Sequence, residues 1–294
     1  MVASPEKIER VIETFHAAAE ANVTKPERVG HVIHLTQEAG GEVMVTADLH
    51  GHRLNFLRIL AECDLEANPL RHLILQEVCH GGPTYPESNA CMSHTMLEDV
   101  ARLIADFPGQ VHFLLSNHEL AELTDFPITK SKRMLNLSFR CGLQEMYGHR
   151  CEDVRDAMIE FLRSCPIGVH MQNGAFVCHS APENLLQRPF DVSIFERPWT
   201  AADLAPGGDV FRLVWGRDFR AENGSEFARM VKSKVLIHGH EPCMAGYEVP
   251  NPHQVILDCS DDRGCFALLP LDQPLDQRMV IDHIRFLNDA NPDE

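Results

Sequence analysis

The hydrophobic and polar positions divide the chain into a helical start, a half in which strands and helices alternate, and a strand-rich end. Apolar residues recur at helical spacing over 5–22, with Ser4 as the predicted cap. A weaker helical pattern covers 27–38 and stops at a glycine pair. We therefore predict an N-terminal helical extension, 1–40, in front of a main domain, 41–294.

Short apolar runs alternate with amphipathic helical stretches in the next part of the chain. Predicted strands and helices follow one another in the order Glu42–Ala47, Arg53–Cys63, Arg71–Glu77, Ser93–Phe107 and Gln110–Leu115. Ser93 is the predicted cap of the second of these helices. Strands that alternate with helices at these lengths favour a parallel sheet in an α/β fold.

The remaining half begins with a helical pattern and ends in strands. Residues 120–165 are polar and helical without a strand signal, which predicts a helical cap inserted into the domain. Strand patterns then return at Gly168–Met171, Ala175–His179, Lys234–His238, His253–Leu257 and Cys265–Leu269. Asn173-Gly174 predicts a hairpin between the first two. We expect this half to be more antiparallel and the tail, 288–294, to be frayed.

Composition and charge exclude several classes of function. Lys and Arg number 26 against 43 Asp and Glu, a net charge of −17, which excludes a nucleic-acid or anionic membrane partner. The chain has neither an apolar run of about 18 residues nor a secretory leader pattern at its start. Its ten cysteines are spread singly without a CxxC pair. We expect a cytoplasmic protein with reduced thiols, and the oligomeric state stays open.

Residues that can bind metal ions follow five of the predicted strands. They are Asp48, His50, Glu77, Asn117, His179 and His240. Because the carboxyl ends of such strands form a ligand crevice, we expect these side chains to converge. Oxygen and imidazole ligands without a thiolate suit Mn, Fe, Zn or Ni. One shared carboxylate can bridge two ions about 3.5–4 Å apart.

The order of these motifs resembles the calcineurin-like metallophosphoesterases, and among them the phosphoprotein phosphatase type. The matching segments are ADLHG at 47–51, QEVCHGG at 76–82, SNHE at 116–119, VCHSAP at 177–182 and GHEP at 239–242. The resemblance covers about residues 42–270. It implies an α/β sandwich of two mixed β-sheets flanked by helices, here with the helical insertion.

The same resemblance implies a ligand set for two divalent metal ions, with manganese the first expectation. One ion would be bound by Asp48, His50 and Glu77, and the other by Glu77, Asn117, His179 and His240. The implied function is hydrolysis of phosphate esters by a metal-bridging hydroxide, with a small phosphate ester or a phosphoprotein as substrate. His118 would protonate the leaving group and Arg217 would bind phosphate. His80 or Glu119 would orient or replace that acid.

Three departures from the family pattern leave alternatives open. Glu77 stands where the family has a bridging Asp, and Ser116 replaces a Gly. His80 and Gly81 replace an Asp-Arg pair, whose Asp orients the catalytic His and whose Arg clamps phosphate. If the rest of the site is conventional, we expect Gly81→Arg to strengthen binding of phosphate analogues. The alternatives are a phosphodiesterase or dinucleoside-polyphosphate hydrolase, and a catalytically weak metal- and phosphate-binding scaffold.

Overall fold

Two mixed β-sheets flanked by helices make up the computed structural model, which describes residues 2–39 and 41–288. The helices are α1 Pro5–Thr24, α2 Arg53–Cys63, α3 His94–Asp106, α4 Asn117–Thr124, α5 Leu135–Tyr147, α6 Cys151–Ser164, α7 Ala201–Leu204, α8 Asp209–Trp215, α9 Ala221–Met230 and α10 Gln277–Asp282. The strands are β1 Arg28–Val29, β2 Val32–Leu35, β3 Glu42–Asp48, β4 His72–Gln76, β5 Val111–Leu114, β6 Thr129–Lys130, β7 Arg133–Met134, β8 Gly168–Met171, β9 Ala175–Val177, β10 Val235–His238, β11 Tyr247–Asn251, β12 Gln254–Leu257, β13 Cys265–Pro270 and β14 Ile284–Phe286. The tail expected to fray over 288–294 lies, from 289 onward, outside the described residues.

The five-stranded sheet has the order β14-β13-β3-β4-β5. Its central strands β3, β4 and β5 run parallel, as the alternating pattern predicts, and β13 joins β3 in the antiparallel direction. Every residue of β4 and β5 is buried. Strands covered on both faces read as continuous apolar runs, which is why they are recognisable from the sequence.

The seven-stranded sheet has the order β1-β2-β8-β9-β10-β12-β11. The predicted hairpin at Asn173-Gly174 is confirmed, because β8 and β9 pair antiparallel. The expectation of a more antiparallel half is only partly right, since β9, β10 and β12 are parallel neighbours. The connection from β9 to β10 passes through helices α7, α8 and α9, which return the chain in the same direction.

The start of the chain differs from the predicted helical extension. Ser4 caps α1 as predicted, accepting a hydrogen bond from the Lys7 N–H at 3.3 Å. The helix predicted over 27–38 is wrong, because this stretch forms β1 and β2. Its β-branched pair Val32 and Ile33 suits a buried strand, and β2 pairs in parallel with β8. The division of the chain at residue 40 therefore stays a prediction.

The insertion over 120–165 holds the end of α4 together with α5 and α6, but it also contains a small hairpin, β6 and β7. The prediction that no strand occurs there is wrong. Ser131 and Lys132 both have positive φ, the geometry of a two-residue hairpin turn, although their side chains carry no such signal. Among the described residues, none of the helices combines the length and the apolar character needed to cross a bilayer.

Candidate metal centre

The predicted ligands come from the carboxyl ends of strands in both sheets. Asp48 is the last residue of β3, Glu77 follows β4, and Asn117 is the first residue of α4, shortly after β5. His179 and His240 follow β9 and β10 of the other sheet. The structure brings all these side chains to one place, because parallel strands end at the same edge of their sheets.

Glu77 lies at the centre of this group and is 2% exposed. Its Oε1 lies 2.9 Å from Nε2 of His50 and 4.0 Å from Nε2 of His118. Its Oε2 lies 2.9 Å from Nε2 of His179, without the alignment of a hydrogen bond. Each oxygen of the one carboxylate therefore faces a different histidine.

Asn117 and Asp48 link His240 to the same cluster. Oδ1 of Asn117 lies 2.6 Å from Nε2 of His179 and 3.1 Å from Nδ1 of His240. The backbone N–H of His240 donates to Oδ1 of Asp48 at 2.9 Å. Nε2 of His240 is buried and has no hydrogen-bond partner among the described residues. Glu77, His179 and His240 together offer three ligand atoms within 4.8 Å of one another.

Four residues of the cluster hold a left-handed backbone that is rare outside glycine. His50 and Glu77 both have φ 43°, His80 has φ 64° and His240 has φ 71°. Each such conformation costs on the order of 1–3 kcal/mol, and such residues concentrate at functional sites. The loops after β3, β4 and β10 are therefore held in strained conformations that place these side chains inward.

The hydrogen bonds around two histidines leave acceptors facing acceptors. Nε2 of Gln76 donates to the Thr46 carbonyl at 2.8 Å, so Oε1 of Gln76 accepts from Nδ1 of His179 at 3.1 Å. Nδ1 of His50 likewise donates to the Cys79 carbonyl at 3.2 Å. In the neutral rings the Nε2 atoms then carry lone pairs, and these point at Glu77. Protons or cations are needed between them, so the residues present fit bound metal ions.

The pKa values show how the cluster balances its charges when protons take that place. Burial lowers the pKa of His50, but the Glu77 carboxylate outweighs it and raises the pKa to about 10. The pKa of His179 is raised for the same reason, against its burial. Burial raises the pKa of Glu77, but His118, His179 and His50 outweigh it and hold the pKa well below its usual range. Burial lowers the pKa of His118 to about 3.

Helix α4 supplies several groups of the site from its first turns. Ser116 caps the helix, its Oγ accepting from the N–H groups of His118 at 3.1 Å and Glu119 at 3.4 Å. Oε1 of Glu119 accepts from the backbone N–H groups of Val78 and Cys79 at 3.0 and 2.9 Å. Glu119 therefore ties α4 to the loop that carries Glu77, rather than contacting His118 as the predicted substitute for an acid.

His80 lies against His118. Its Nδ1 is 3.0 Å from Nδ1 of His118, and its Nε2 is 2.7 Å from Oε1 of Glu122. Its backbone N–H donates to Oγ of Ser93 at 3.0 Å. Ser93 stands at the N-cap position of α3 as predicted, but its hydroxyl makes no capping bond and instead holds the His80 loop.

Gly81 leaves no room for the arginine that the family pattern has there. A Cβ at this position would lie 2.2 Å from the carbonyl oxygen of His50, because the loops after β3 and β4 touch backbone to backbone. The expectation that Gly81→Arg restores a phosphate clamp is wrong for this backbone. The glycine is required by the close approach of the two loops.

The other predicted residues lie at the rim or outside the cluster. Arg217 is exposed; its guanidinium is paired with Glu241, and Nη2 donates to the His240 carbonyl at 3.3 Å. Asp258 accepts from the backbone N–H groups of Cys243 and Ser260.

Sequence reasoning missed two buried partners, Gln76 and Glu122. Gln76 is a polar residue that ends the apolar run of β4, which is a readable signal of a hydrogen-bonding role. Glu122 stands one helical turn after His118 on α4, so the spacing of the two residues was also readable.

No family model and no curated protein matches the chain. Several solved structures match the chain. A protein serine/threonine phosphatase from Saccharomyces cerevisiae, with similarity to human phosphatase PP5, superimposes with a TM-score of 0.69 at 15% identity over 97% of this chain and 91% of that chain. The cold-active protein-tyrosine phosphatase of a psychrophilic Shewanella gives a TM-score of 0.52 at 12% identity over 92% of this chain and 84% of that chain. At such identities the likeness shows the fold.

The chain therefore has the phosphatase-type metallophosphoesterase fold, two mixed sheets flanked by helices with the strand ends gathered at one site. This is the fold that the motif order implied. A likeness at this level of identity shows nothing about the ligands or substrates of this chain.

Proposed function

We propose that the chain is a dinuclear metal-dependent phosphoesterase, most closely a phosphomonoesterase of the protein phosphatase type. Glu77 is the observation that carries the proposal. One of its oxygens lies 2.9 Å from Nε2 of His50, and the other lies 2.9 Å from Nε2 of His179. In both rings the second nitrogen, Nδ1, already donates a hydrogen bond to another group. Two divalent cations satisfy all these lone pairs at once. Manganese is the first candidate, and Fe, Zn or Ni suits the same oxygen and imidazole ligands.

In this proposal one ion binds Asp48, His50 and Glu77, and the other binds Glu77, Asn117, His179 and His240. When bound, the ions would lower the pKa of the attacking water and neutralise phosphoryl oxygens. The second nitrogens of the ligand rings are held by Cys79 and Gln76, which fixes ring orientation. The chain thus supports its ligands through backbone and amide groups.

His118 is the proposed acid and Arg217 the proposed phosphate-binding group. Nε2 of His118 faces the ligands, 4.0 Å from Glu77. Because burial keeps the free ring neutral, the ring has to gain its proton when the substrate binds, and it then donates that proton to the leaving oxygen of an ester. Arg217 lies at the rim and would exchange its Glu241 partner for a phosphoryl oxygen. The substrates proposed are small phosphate esters or phosphoproteins.

The backbone at Gly81 favours a phosphodiester as the second candidate substrate. A monoester dianion gains most from a guanidinium clamp, and the His50 carbonyl occupies the space that such a side chain needs. A diester carries one negative charge less, so it loses less when the clamp is missing. The choice between the two substrate classes is therefore a question of relative rates.

A cytoplasmic location is part of the same proposal. All ten cysteines are free, and nine of them are buried, as in a protein that keeps reduced thiols. The net charge of −17 disfavours polyanionic partners, so nucleic acid is not proposed as a substrate.

Metal analysis joined to two chromogenic esters tests the proposed function. We expect two equivalents of metal after reconstitution with Mn²⁺, turnover of p-nitrophenyl phosphate above that of bis-p-nitrophenyl phosphate, and loss of both after EDTA. Glu77→Gln keeps the side-chain volume but removes the charge, so it should lose metal and at least about a thousandfold in turnover.

Glu248→Gln is the matched control, because Glu248 is exposed on β11. It should keep both metal and activity. Faster turnover of the diester would overturn the monoesterase assignment in favour of the second candidate. Two bound ions without turnover of either ester would leave a metal-binding scaffold. Failure to bind metal would contradict the proposal as a whole.

A further inference from the structure

We propose that Glu122 and His80 form a hydrogen-bonded chain that sets the tautomer and orientation of His118. His118 and Glu122 stand one turn apart on α4, and the ring of His80 lies between them. Both are positioning residues, since neither contacts the proposed substrate position. The inference rests on the proposed function for its catalytic meaning.

The direction of the hydrogen bonds follows from a backbone N–H at the far end. The Ile128 N–H can only donate, so Oδ1 of Asn136 accepts it at 2.8 Å. The Nδ2 of Asn136 therefore faces Glu122 and donates to its Oε1 at 2.9 Å. Oε1 of Glu122 is thus an acceptor, and Nε2–H of His80 donates to it at 2.7 Å.

The same direction passes through His80 to His118. A neutral imidazole with its proton on Nε2 has an unprotonated Nδ1. Nδ1 of His80 therefore accepts from Nδ1–H of His118, 3.0 Å away. His118 then keeps its Nε2 free, on the side that faces Glu77 at 4.0 Å. That nitrogen can take up a proton and give it to a leaving oxygen, while the opposite tautomer could not.

Packing prevents water from replacing the hydrogen bonds between Glu122, His80 and His118. The side chains of His80 and Glu122 are 0% exposed. Phe139 packs its ring edge-on to His80, with centroids 5.5 Å apart, and Ser93 holds the His80 backbone. Asn136 and Phe139 both belong to α5. The insertion over 120–165 therefore supports this chain of hydrogen bonds from outside the metal centre.

If Glu122 acts on His118 through His80, the effect of removing its charge on kcat should depend on the leaving group of the ester. Glu122→Gln should lower kcat on the order of tenfold to a hundredfold for phenyl phosphate, whose leaving group needs a proton. The loss should be less than about threefold for p-nitrophenyl phosphate, whose leaving group is stable as an anion. KM and metal content should not change, because neither residue binds metal.

The double variant His80→Asp with Glu122→Gln tests the chain by rescue. Oδ1 of Asp and Nδ1 of His are both bonded to Cγ, so the aspartate places a carboxylate oxygen directly against His118. The rate on phenyl phosphate should return to within about threefold of the parent. Glu98→Gln is the matched control, since Glu98 pairs with His94 at 2.9 Å in a buried contact of the same kind on α3. It should not alter the leaving-group dependence.

Nitrogen NMR of the zinc-loaded protein tests the geometry without any need for activity. The His118 signals, assigned by their loss in His118→Asn, should show the proton on Nδ1. A proton fixed on Nε2, equal losses on both esters in Glu122→Gln, or failure of the double variant to rescue would overturn the inference. If the parent protein binds metal but turns over neither ester, the proposed function fails while the NMR result still decides the hydrogen-bond chain.

Discussion

Gly81 fixes the distance between the two loops that carry His50 and Glu77. A Cβ at Gly81 would meet the His50 carbonyl at 2.2 Å, and one at Gly51 would meet the Gly81 carbonyl at 2.6 Å. His50 and Glu77 already hold left-handed backbones, each at a cost of about 1–3 kcal/mol. The loops therefore have little freedom to absorb a side chain at this contact.

We predict that Gly81→Ala separates the loops and weakens the metal centre. Overpacking against backbone atoms should lower the free energy of unfolding by roughly 1–3 kcal/mol. The first ion, whose proposed ligands lie on both loops, should bind at least about tenfold more weakly. Thermal unfolding and metal titration measure the two effects.

Gly109→Ala is the matched control for this prediction, because a Cβ there meets nothing within 4 Å. It should change neither stability nor metal binding beyond about 0.5 kcal/mol. Parent-like metal affinity in Gly81→Ala would mean that the loops can shift without cost, and the glycine would then have no special role.

At the scale of elements, the sequence predicts what is repeated in the pattern and fails where tertiary contacts decide. The buried strands β3, β4 and β5 are mostly apolar, so their existence and order are readable. The stretch over 27–38 shows only a weak helical pattern, and pairing with β8 makes part of it a strand.

In the candidate site, too, some residues could be predicted from the sequence and others could not. Asp48, His50, Glu77 and Asn117 follow strand ends, and that position is visible in the sequence. The partners Gln76 and Glu122 are visible only as polar residues in apolar or helical surroundings, and what they contact depends on which loops meet in three dimensions. The lack of space for a side chain at Gly81 depends on how close the two backbones lie, and the sequence pattern does not show that distance.

The Glu119 carboxylate is one of the groups that join helix α4 to the Glu77 loop, and this gives a prediction about the element. Glu119→Ala would leave the N–H groups of Val78 and Cys79 buried without an acceptor. Each such group costs about 1–3 kcal/mol, so stability should fall by roughly 2–5 kcal/mol. Because Glu77 directly precedes this pair, metal affinity should fall as well.

Denaturant unfolding and metal titration check this prediction. The control is Glu20→Ala. Glu20 is exposed on α1 and its side chain has no partner among residues 2–39 and 41–288, so the free energy of unfolding should stay within about 0.5 kcal/mol of the parent. A Glu119→Ala protein that keeps its metal affinity would show that the Glu77 loop holds its shape without the Glu119 carboxylate.

In the whole molecule, the candidate metal ligands come together only when the two sheets pack against each other. Asp48, Glu77 and Asn117 come from one sheet, and His179 and His240 come from the other. A ligand that binds the folded state alone stabilises all of it. Metal should therefore raise the unfolding temperature of the entire chain, including the seven-stranded sheet that the start of the chain helps to build.

Metal binding to the whole molecule should also depend steeply on pH, because protons and ions compete for the same nitrogens. The pKa of His50, raised to about 10 by Glu77, keeps that ring protonated at neutral pH when metal is absent, and the pKa of His179 is raised as well. Each displaced proton raises the affinity about tenfold per pH unit, so between pH 6 and 8 we expect a rise of about tenfold to a hundredfold per unit. Calorimetry in buffers of different ionisation enthalpy counts the released protons. An affinity that is flat across this range would mean that His50 and His179 are already neutral before metal binds.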